Sequence, residues 1–276
     1  MALIKSISGF RGTIGGKTND GLTPIDTVKF VSAFAAFIKE TYNKEKITIV
    51  LGRDARVSGE MVSHLVVGTL MGMGVDVIDT GLSTTPTVEV AVTEKKADAG
   101  IILTASHNPM QWNALKFLNA KGEFISASEG KRVLELAASE DFLFAEVDKL
   151  GHCISDTTTI DMHIEKVLAL DLVDVEAIKQ ANFKVAYDAV CSTGGLVLTK
   201  LLNALGVQQV VALNPEPTGL FPHNPEPLPE NITQICEAVV AEGCDVGFIV
   251  DPDVDRLAIV CENGKILKQN DCIADR

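Results

Sequence analysis

Two stretches of the chain carry the same order of elements, and that order constrains the fold more than any other feature. In KITIVLGRDARVSGEMVSHLVVGTLMGMGVDVIDTG, a strand over 47–51 runs into a polar loop, a helix from Gly59 to about Met71, a stop at Gly74 and a strand over 75–78. FKVAYDAVCSTGGLVLTKLLNALGVQQVVALN repeats it: a strand over 184–187, a glycine-rich loop, a helix to about Leu205, Gly206, and a strand over 207–212. A helix between two parallel strands is a βαβ unit. The expected fold is therefore α/β, with two similar βαβ-type domains whose mixed, mostly parallel sheets are flanked by helices. A second pair strengthens the duplication. DAGIILTAS from Asp98 lies over DVGFIVDPD from Asp245, so that Gly100 meets Gly247 and Ser106 falls on Asp253. Duplication would put Ser106 and Asp253 at equivalent strand C-termini, where open α/β sheets bind their ligands.

A chain of 276 residues is long for a single core and divides naturally in two. The weakly periodic stretch SEDFLFAEVDKLGHCISDTTTID at 139–161 marks the boundary, giving domains at 1–150 and 151–260. Thr23-Pro24 reads as an N-cap and first-turn proline opening an amphipathic helix, and HIEKVLALD as a helix leading into the second domain. Six of the ten prolines crowd into NPEPTGLFPHNPEPLP at 214–229, an extended polyproline-like surface loop. The net charge of −13 argues against nucleic acid and anionic membranes as partners. Phosphorylated substrates stay open, because a few arginines and a metal invert the local field. No run approaches the roughly 18 apolar residues of a membrane span, and the N-terminus lacks an apolar signal-peptide core. The six cysteines form no CxxC pair and no disulfide framework, which fits reduced thiols and a cytoplasmic setting.

The chemistry gathers in two loops. In DPDVDR at 251–256, carboxylates at alternate positions converge on one cation when the chain curls off a strand end. With no His or Cys inside the motif, the hard oxygen ligands of Asp251, Asp253 and Asp255 favour Mg²⁺. A calcium loop of the EF-hand kind fails: Arg256 stands where glycine is needed, and a strand precedes it. An aspartyl-phosphate nucleophile fits poorly with Asp255 at the fifth position. In TASHNP at 104–109, Ser106 and His107 are adjacent, which suits a hydrolase pair badly, and the nucleophile elbow of such enzymes is absent. A phosphoryl-transfer serine fits better, since it depends on a metal, cationic clamps and positioning. Arg11, Arg53 and Arg56 taken singly read as structural ion-pair residues, and spacing leaves Lys116 between a surface lysine and a site residue.

Together these segments resemble the α-D-phosphohexomutase superfamily of phosphoglucomutases, phosphomannomutases and phosphoglucosamine mutases. TASHNP is similar to its phosphoserine loop and DPDVDR to its magnesium loop, usually D-G-D-x-D-R. SGFRG, GRDAR and WNALK are similar to further signatures, with Ala114 replacing a glycine. The resemblance implies that Ser106 carries a phosphate, passes it to a hexose phosphate to give a 1,6-bisphosphate, and takes the second phosphate back after the intermediate reorients. It implies Mg²⁺ held by Asp251, Asp253 and Asp255 against the Ser106 oxygen. Lys116 and Arg11 become the proton-transfer and charge-stabilising pair, the guanidinium depressing the lysine pKa. His107 and Asn108 shape the loop, while Arg256 and Arg53 contact phosphate. It further implies that residues 261–276 open a third domain, its helix capped at Asn270 or Asp271. The remaining C-terminal domains, with the sugar-reading loop, would be missing, leaving residues 1–276 without mutase activity of their own. The substrate leans to glucosamine phosphate, with mannose and glucose phosphates close behind. The competing reading is a non-catalytic two-domain binding module that keeps ancestral loops.

Overall fold

The computed structural model describes residues 2–6 and 9–267. Strands β1 (Leu3–Ser6) and β2 (Gly9–Thr13) precede helix α1 (Pro24–Tyr42), and β3 (Thr48–Arg53), α2 (Gly59–Gly72), β4 (Asp76–Leu82), α3 (Thr85–Glu94) and β5 (Ala99–Leu103) follow. Then come β6 (Trp112–Leu118), α4 (Ala127–Ser139), β7 (Cys153–Ser155), α5 (Thr159–Leu168), α6 (Val175–Ala181) and β8 (Lys184–Asp188). The described elements end with α7 (Gly194–Ala204), β9 (Gln209–Leu213), α8 (Thr233–Glu242), β10 (Val246–Val250) and β11 (Leu257–Cys261). The chain forms two compact units. One runs to Ala105 and resumes over Met110–Thr159; the other takes Ser106–Pro109 and continues from Ile160.

The first unit is a seven-stranded sheet in the order β1-β2-β6-β5-β3-β4-β7. β3 pairs in parallel with β4 and β5, whereas β6 runs antiparallel to both β5 and β2. Because β7 pairs in parallel with β4, residues beyond 150 belong to this sheet, and the unit closes at Thr159. Helix α1 starts at Thr23, whose hydroxyl accepts from the Asp26 N–H while the Asp26 carboxylate accepts from the Thr23 N–H, a reciprocal cap. It docks through aromatic rings. Phe30 stacks on Phe10 at 3.7 Å between centroids and Phe34 on Phe117 at 4.0 Å, so one face of β2 and β6 is fixed under the helix. Lys116, alternating with Leu115 and Phe117, is thereby turned to the opposite face.

The second unit is a four-stranded sheet in the order β11-β10-β8-β9, with β8 parallel to β9 and β10 and only β11 antiparallel. One face packs Ile232, Ile235 and Val239 against Ala186 and Ile249; the other packs Leu202 and Val207 against Val185 and Tyr187. Residues 262–267 turn back through Asn263-Gly264 and bridge Val260 to Ile266, so this part of the expected third domain continues the second sheet. An Asn-Gly pair is a strong hairpin signal, and Gly264 takes the left-handed φ of +75° that the turn requires. The expected helix with a cap at Asn270 or Asp271 lies outside the described residues.

The two units share a frame as well as an order. Asp98 accepts from the Thr48 N–H (2.9 Å) and returns its own N–H to the Thr48 carbonyl (2.9 Å). Asp245 does the same with Lys184, at 2.7 and 2.8 Å. A Cβ on Gly100 would stand 2.6 Å from Val92, and one on Gly247 would stand 2.7 Å from Val239. Each glycine lets a helix approach the strand that ends in a chemical loop. Among the described residues, no helix is long and apolar enough to cross a membrane.

Candidate functional site

The strand β10 ends by delivering Asp251 into a tight loop. Its Oδ1 accepts the backbone N–H groups of Asp255 (3.1 Å) and Arg256 (3.0 Å), and its carbonyl accepts from the Val254 N–H (3.1 Å). One carboxylate thus curls the loop about itself, with Val254 in the left-handed region at φ +62°. The curl draws one oxygen from each of Asp251, Asp253 and Asp255 within 4.8 Å of one another. Behind it, the loop after β8 supplies two buried hydroxyls, Ser192 (2.7 Å) and Thr193 (2.9 Å), which both donate to the Pro252 carbonyl.

Three carboxylates this close, two of them fully buried, repel one another. Burial first, then the neighbouring Asp253 and Asp255, push the Asp251 carboxyl up to about 8. A divalent cation would relieve that repulsion, and an all-oxygen donor set suits a hard one. The triad can therefore hold a metal ion.

Ser106 reaches the same carboxylate. Its backbone is left-handed at φ +50°, it is 7% exposed, and its Oγ donates to Asp251 Oδ2 at 2.8 Å. His107 Nδ1 stands 3.3 Å from that Oγ, so the two adjacent side chains make one long hydrogen-bond contact. Asn108 is half-buried on the same turn. Arg256, expected to contact phosphate, donates to Glu226 Oε1 at 2.7 Å, and His107 Nε2 faces that oxygen at 3.9 Å. Ser106, His107, Asp251, Asp253, Asp255 and Arg256 are thus gathered within the second unit.

The remaining candidates lie on the first sheet. Gly9 pairs with Lys116 and Arg11 with Ala114, so Arg11 and Lys116 are diagonal neighbours on one face, the arrangement in which long side chains interact. Lys116 Nζ also lies 5.5 Å from the centre of the Phe124 ring. Arg53 donates to the Asp54 carbonyl at 3.3 Å. Arg56 has the structural role that its type suggested: fully buried, it pairs with Asp54 at 3.0 Å and donates to the Trp112 carbonyl at 3.1 Å.

Two parts of this arrangement escaped the sequence reading. Asp54 also accepts from the Thr104 hydroxyl (2.7 Å), so it ties the loop after β3 to the first residue after β5. A carboxylate between two arginines at a strand end was the available signal. The proline-rich stretch is anchored rather than merely extended: His223 (3.1 Å) and Asn214 (3.0 Å) hold the buried Asp188 carboxylate, and the segment presents Glu226. Prolines at almost every second position in FPHNPEPLP were the signal, since they stiffen a chain that must hold a side chain in place.

Known proteins place this chain in a family. Phosphoglucomutase/phosphomannomutase alpha/beta/alpha domain I matches residues 3–144, and domain II of the same family matches residues 161–264. A phosphoglucomutase/phosphomannomutase from Thermococcus kodakarensis is 38% identical over 260 residues, 93% of this chain and 56% of its own length. A protein of Methanococcoides burtonii assigned as a phosphoglucosamine mutase is 30% identical, over 93% of this chain and 57% of its own length. In structure, a Thermus thermophilus protein assigned as a phosphomannomutase superposes with a TM-score of 0.83 at 26% identity, covering 97% of this chain and 59% of that one. The chain spans a little over half the length of these relatives. Two consecutive family domains, matched in order over most of the sequence, make this chain a member of the phosphoglucomutase/phosphomannomutase family.

Proposed function

We propose that the chain provides the phosphoryl-carrying part of a phosphohexomutase, with Ser106 as the carrier. The observation that carries this reading is the Ser106 Oγ hydrogen bond to Asp251 inside the acidic triad. A serine meant only for structure has no need of a carboxylate cluster, and a metal loop meant only for structure has no need of a buried hydroxyl. In the first transfer the Oγ–P bond of phosphorylated Ser106 breaks, and phosphorus bonds to a hydroxyl oxygen of the hexose phosphate. The proton of that hydroxyl passes to Lys116, with Arg11 stabilising the charge. After the 1,6-bisphosphate reorients, the other phosphoryl group returns to Ser106, and the proton goes back to the sugar oxygen. Asp251, Asp253 and Asp255 would hold Mg²⁺, which supplies Lewis-acid neutralisation of the transferring group. His107, Asn108, Arg53 and Arg256 serve as phosphate-side and loop-shaping groups.

The substrate class is a hexose phosphate. Glucosamine phosphate leads, with mannose and glucose phosphates next; the relatives themselves divide among these names. The test is incubation with glucose 1,6-bisphosphate followed by phosphopeptide mapping. Label is expected on Ser106 and is lost in Ser106→Ala; label on a different serine overturns the assignment. In parallel, Asp253→Asn should weaken Mg²⁺ binding in a direct titration, and unchanged affinity would reduce the triad to an acidic turn.

A further inference from the structure

A ring of five contacts closes around Ser106, and one member lies on the proline-rich segment. Ser106 Oγ donates to Asp251 Oδ2 at 2.8 Å, and Asp251 Oδ1 accepts the Arg256 N–H at 3.0 Å. Arg256 Nη1 donates to Glu226 Oε1 at 2.7 Å, and that oxygen faces His107 Nε2 at 3.9 Å. His107 Nδ1 returns to Ser106 Oγ at 3.3 Å. All of these groups belong to the second unit. Glu226 is itself held from behind. Its N–H donates to Asn224 Oδ1 (3.2 Å), and its carbonyl accepts from the Asn231 side chain (3.0 Å) and the Leu228 N–H (2.8 Å). His223, three residues earlier, is fastened to buried Asp188.

An arginine 42% exposed would ordinarily sample many rotamers. A surface ion pair contributes little to stability, so the use of this one lies in where it puts the guanidinium. We propose that Glu226 is a positioning residue for phosphoryl transfer, holding Arg256 and His107 at the margin of Ser106. The proline-rich segment 214–229 is then part of the site. This rests on reading Ser106 as the carrier. Electrostatics alone predicts the opposite effect: a carboxylate beside an incoming phosphate repels it, so removing its charge would speed loading.

The experiment follows phosphate loading of Ser106 from glucose 1,6-bisphosphate by intact mass, in the protein that contains this chain. Wild type is compared with Glu226→Gln, Glu226→Asp, Arg256→Lys and the Glu226→Gln/Arg256→Lys double variant. Each single change should slow loading by about tenfold, and the double should be no slower than the slower single, because Glu226 acts through Arg256. Glu226→Asp keeps the charge and loses the reach, so it should stay slow. Melting temperature and Mg²⁺ affinity should hold near wild type, where a merely structural residue would shift them. Wild type that takes no phosphate on Ser106 removes the carrier reading itself. Labelled wild type overturns the role of Glu226 alone if the variants load at wild-type rate or faster, if Glu226→Asp is restored, or if the two singles add.

Discussion

The serine loop and the aspartate loop occupy the same hairpin in the two units, yet they are built to different lengths. Leu103 pairs with Leu115 and Val250 with Leu257, so the connection is eleven residues in the first unit (104–114) and six in the second (251–256). The short loop has room to wrap one carboxylate, and it converts that wrap into three converging acids. The long loop spends its extra residues on reach: its tip, Ser106–Pro109, clusters with the second unit although its strand belongs to the first. The shared frame of aspartate clasp and packing glycine is the same in both. The loops differ in chemistry while the four strands β6-β5-β3-β4 of the first sheet match the order β11-β10-β8-β9 of the second, the usual division of labour in α/β proteins.

The comparison extends to the neighbouring loops, where each unit buries a carboxylate at the C-terminal end of an interior strand, β3 or β8. Asp54 faces Arg56, a permanent cation, with both side chains fully buried. Asp188 faces His223, which can give up its charge. Asp54→Asn should cost about 3–5 kcal/mol, because it strands a buried guanidinium. Asp188→Asn should cost less, about 1–3 kcal/mol, since a neutral imidazole needs no counter-charge. Urea midpoints at constant m-value measure both, and equal losses would break the contrast. The histidine also carries a pH signature. Donation from the imidazole N–H to the Asp188 carboxylate raises the His223 pKa above its ordinary 6.5, against the effect of burial. The stabilisation from this pair is therefore complete below pH 6.5 and is lost as pH rises through the higher folded-state pKa. Hydrogen exchange of the β8 and β10 amides should speed up over that window, and His223→Gln should abolish the slope.

A smaller effect tests the frame itself. Gly100→Ala and Gly247→Ala each press a methyl against a valine at nearly the same distance. Each should destabilise its own unit by about 1–2 kcal/mol, as read from exchange of β5 and β10 amides. A marked difference would mean that the two helices sit on their sheets under different constraint, and that the duplication is one of outline only.

What was legible in the sequence follows from how local each cause is. The repeated strand-loop-helix order, the Thr23 cap and the acidic loop all rest on neighbours within a few residues, so pattern alone carried them. The strand limits moved, with β3 reaching Arg53 and β4 reaching Leu82, because pairing rather than hydropathy ends a strand. The extra strands β2 and β7 join the first sheet through partners far away in sequence, β6 and β4, and β1 is carried in by β2; no period marks them. Ser106 and the three aspartates stood out by residue type. Glu226 did not, since its meaning lies in Arg256, thirty positions away, and in His107, still more distant. Asp54 was hidden for the same reason: its partner Thr104 lies fifty residues on.

The smallest expected effect returns to the two loops. Each holds a non-glycine residue in the left-handed region, Ser106 at φ +50° and Val254 at φ +62°. For an L-residue that conformation costs about 1–2 kcal/mol, and a β-branched side chain has least means of avoiding it. At Ser106 the strain cannot be removed without removing the hydroxyl that meets Asp251. At Val254 the side chain makes no part of the acidic triad, so the strain is separable from the chemistry. Val254→Gly should remove it, offset by about 0.5–1 kcal/mol of added chain entropy in the unfolded state. The net expectation is a gain of about 0.5 kcal/mol, with Mg²⁺ affinity unchanged because the Asp251 wrap depends on the N–H groups of residues 255 and 256. A urea midpoint that rises while Mg²⁺ affinity holds would sharpen the contrast between a strained carrier and a merely strained turn. A midpoint that falls would show that the valine side chain contributes more by packing than its backbone costs, and the two loops would then be strained for the same reason.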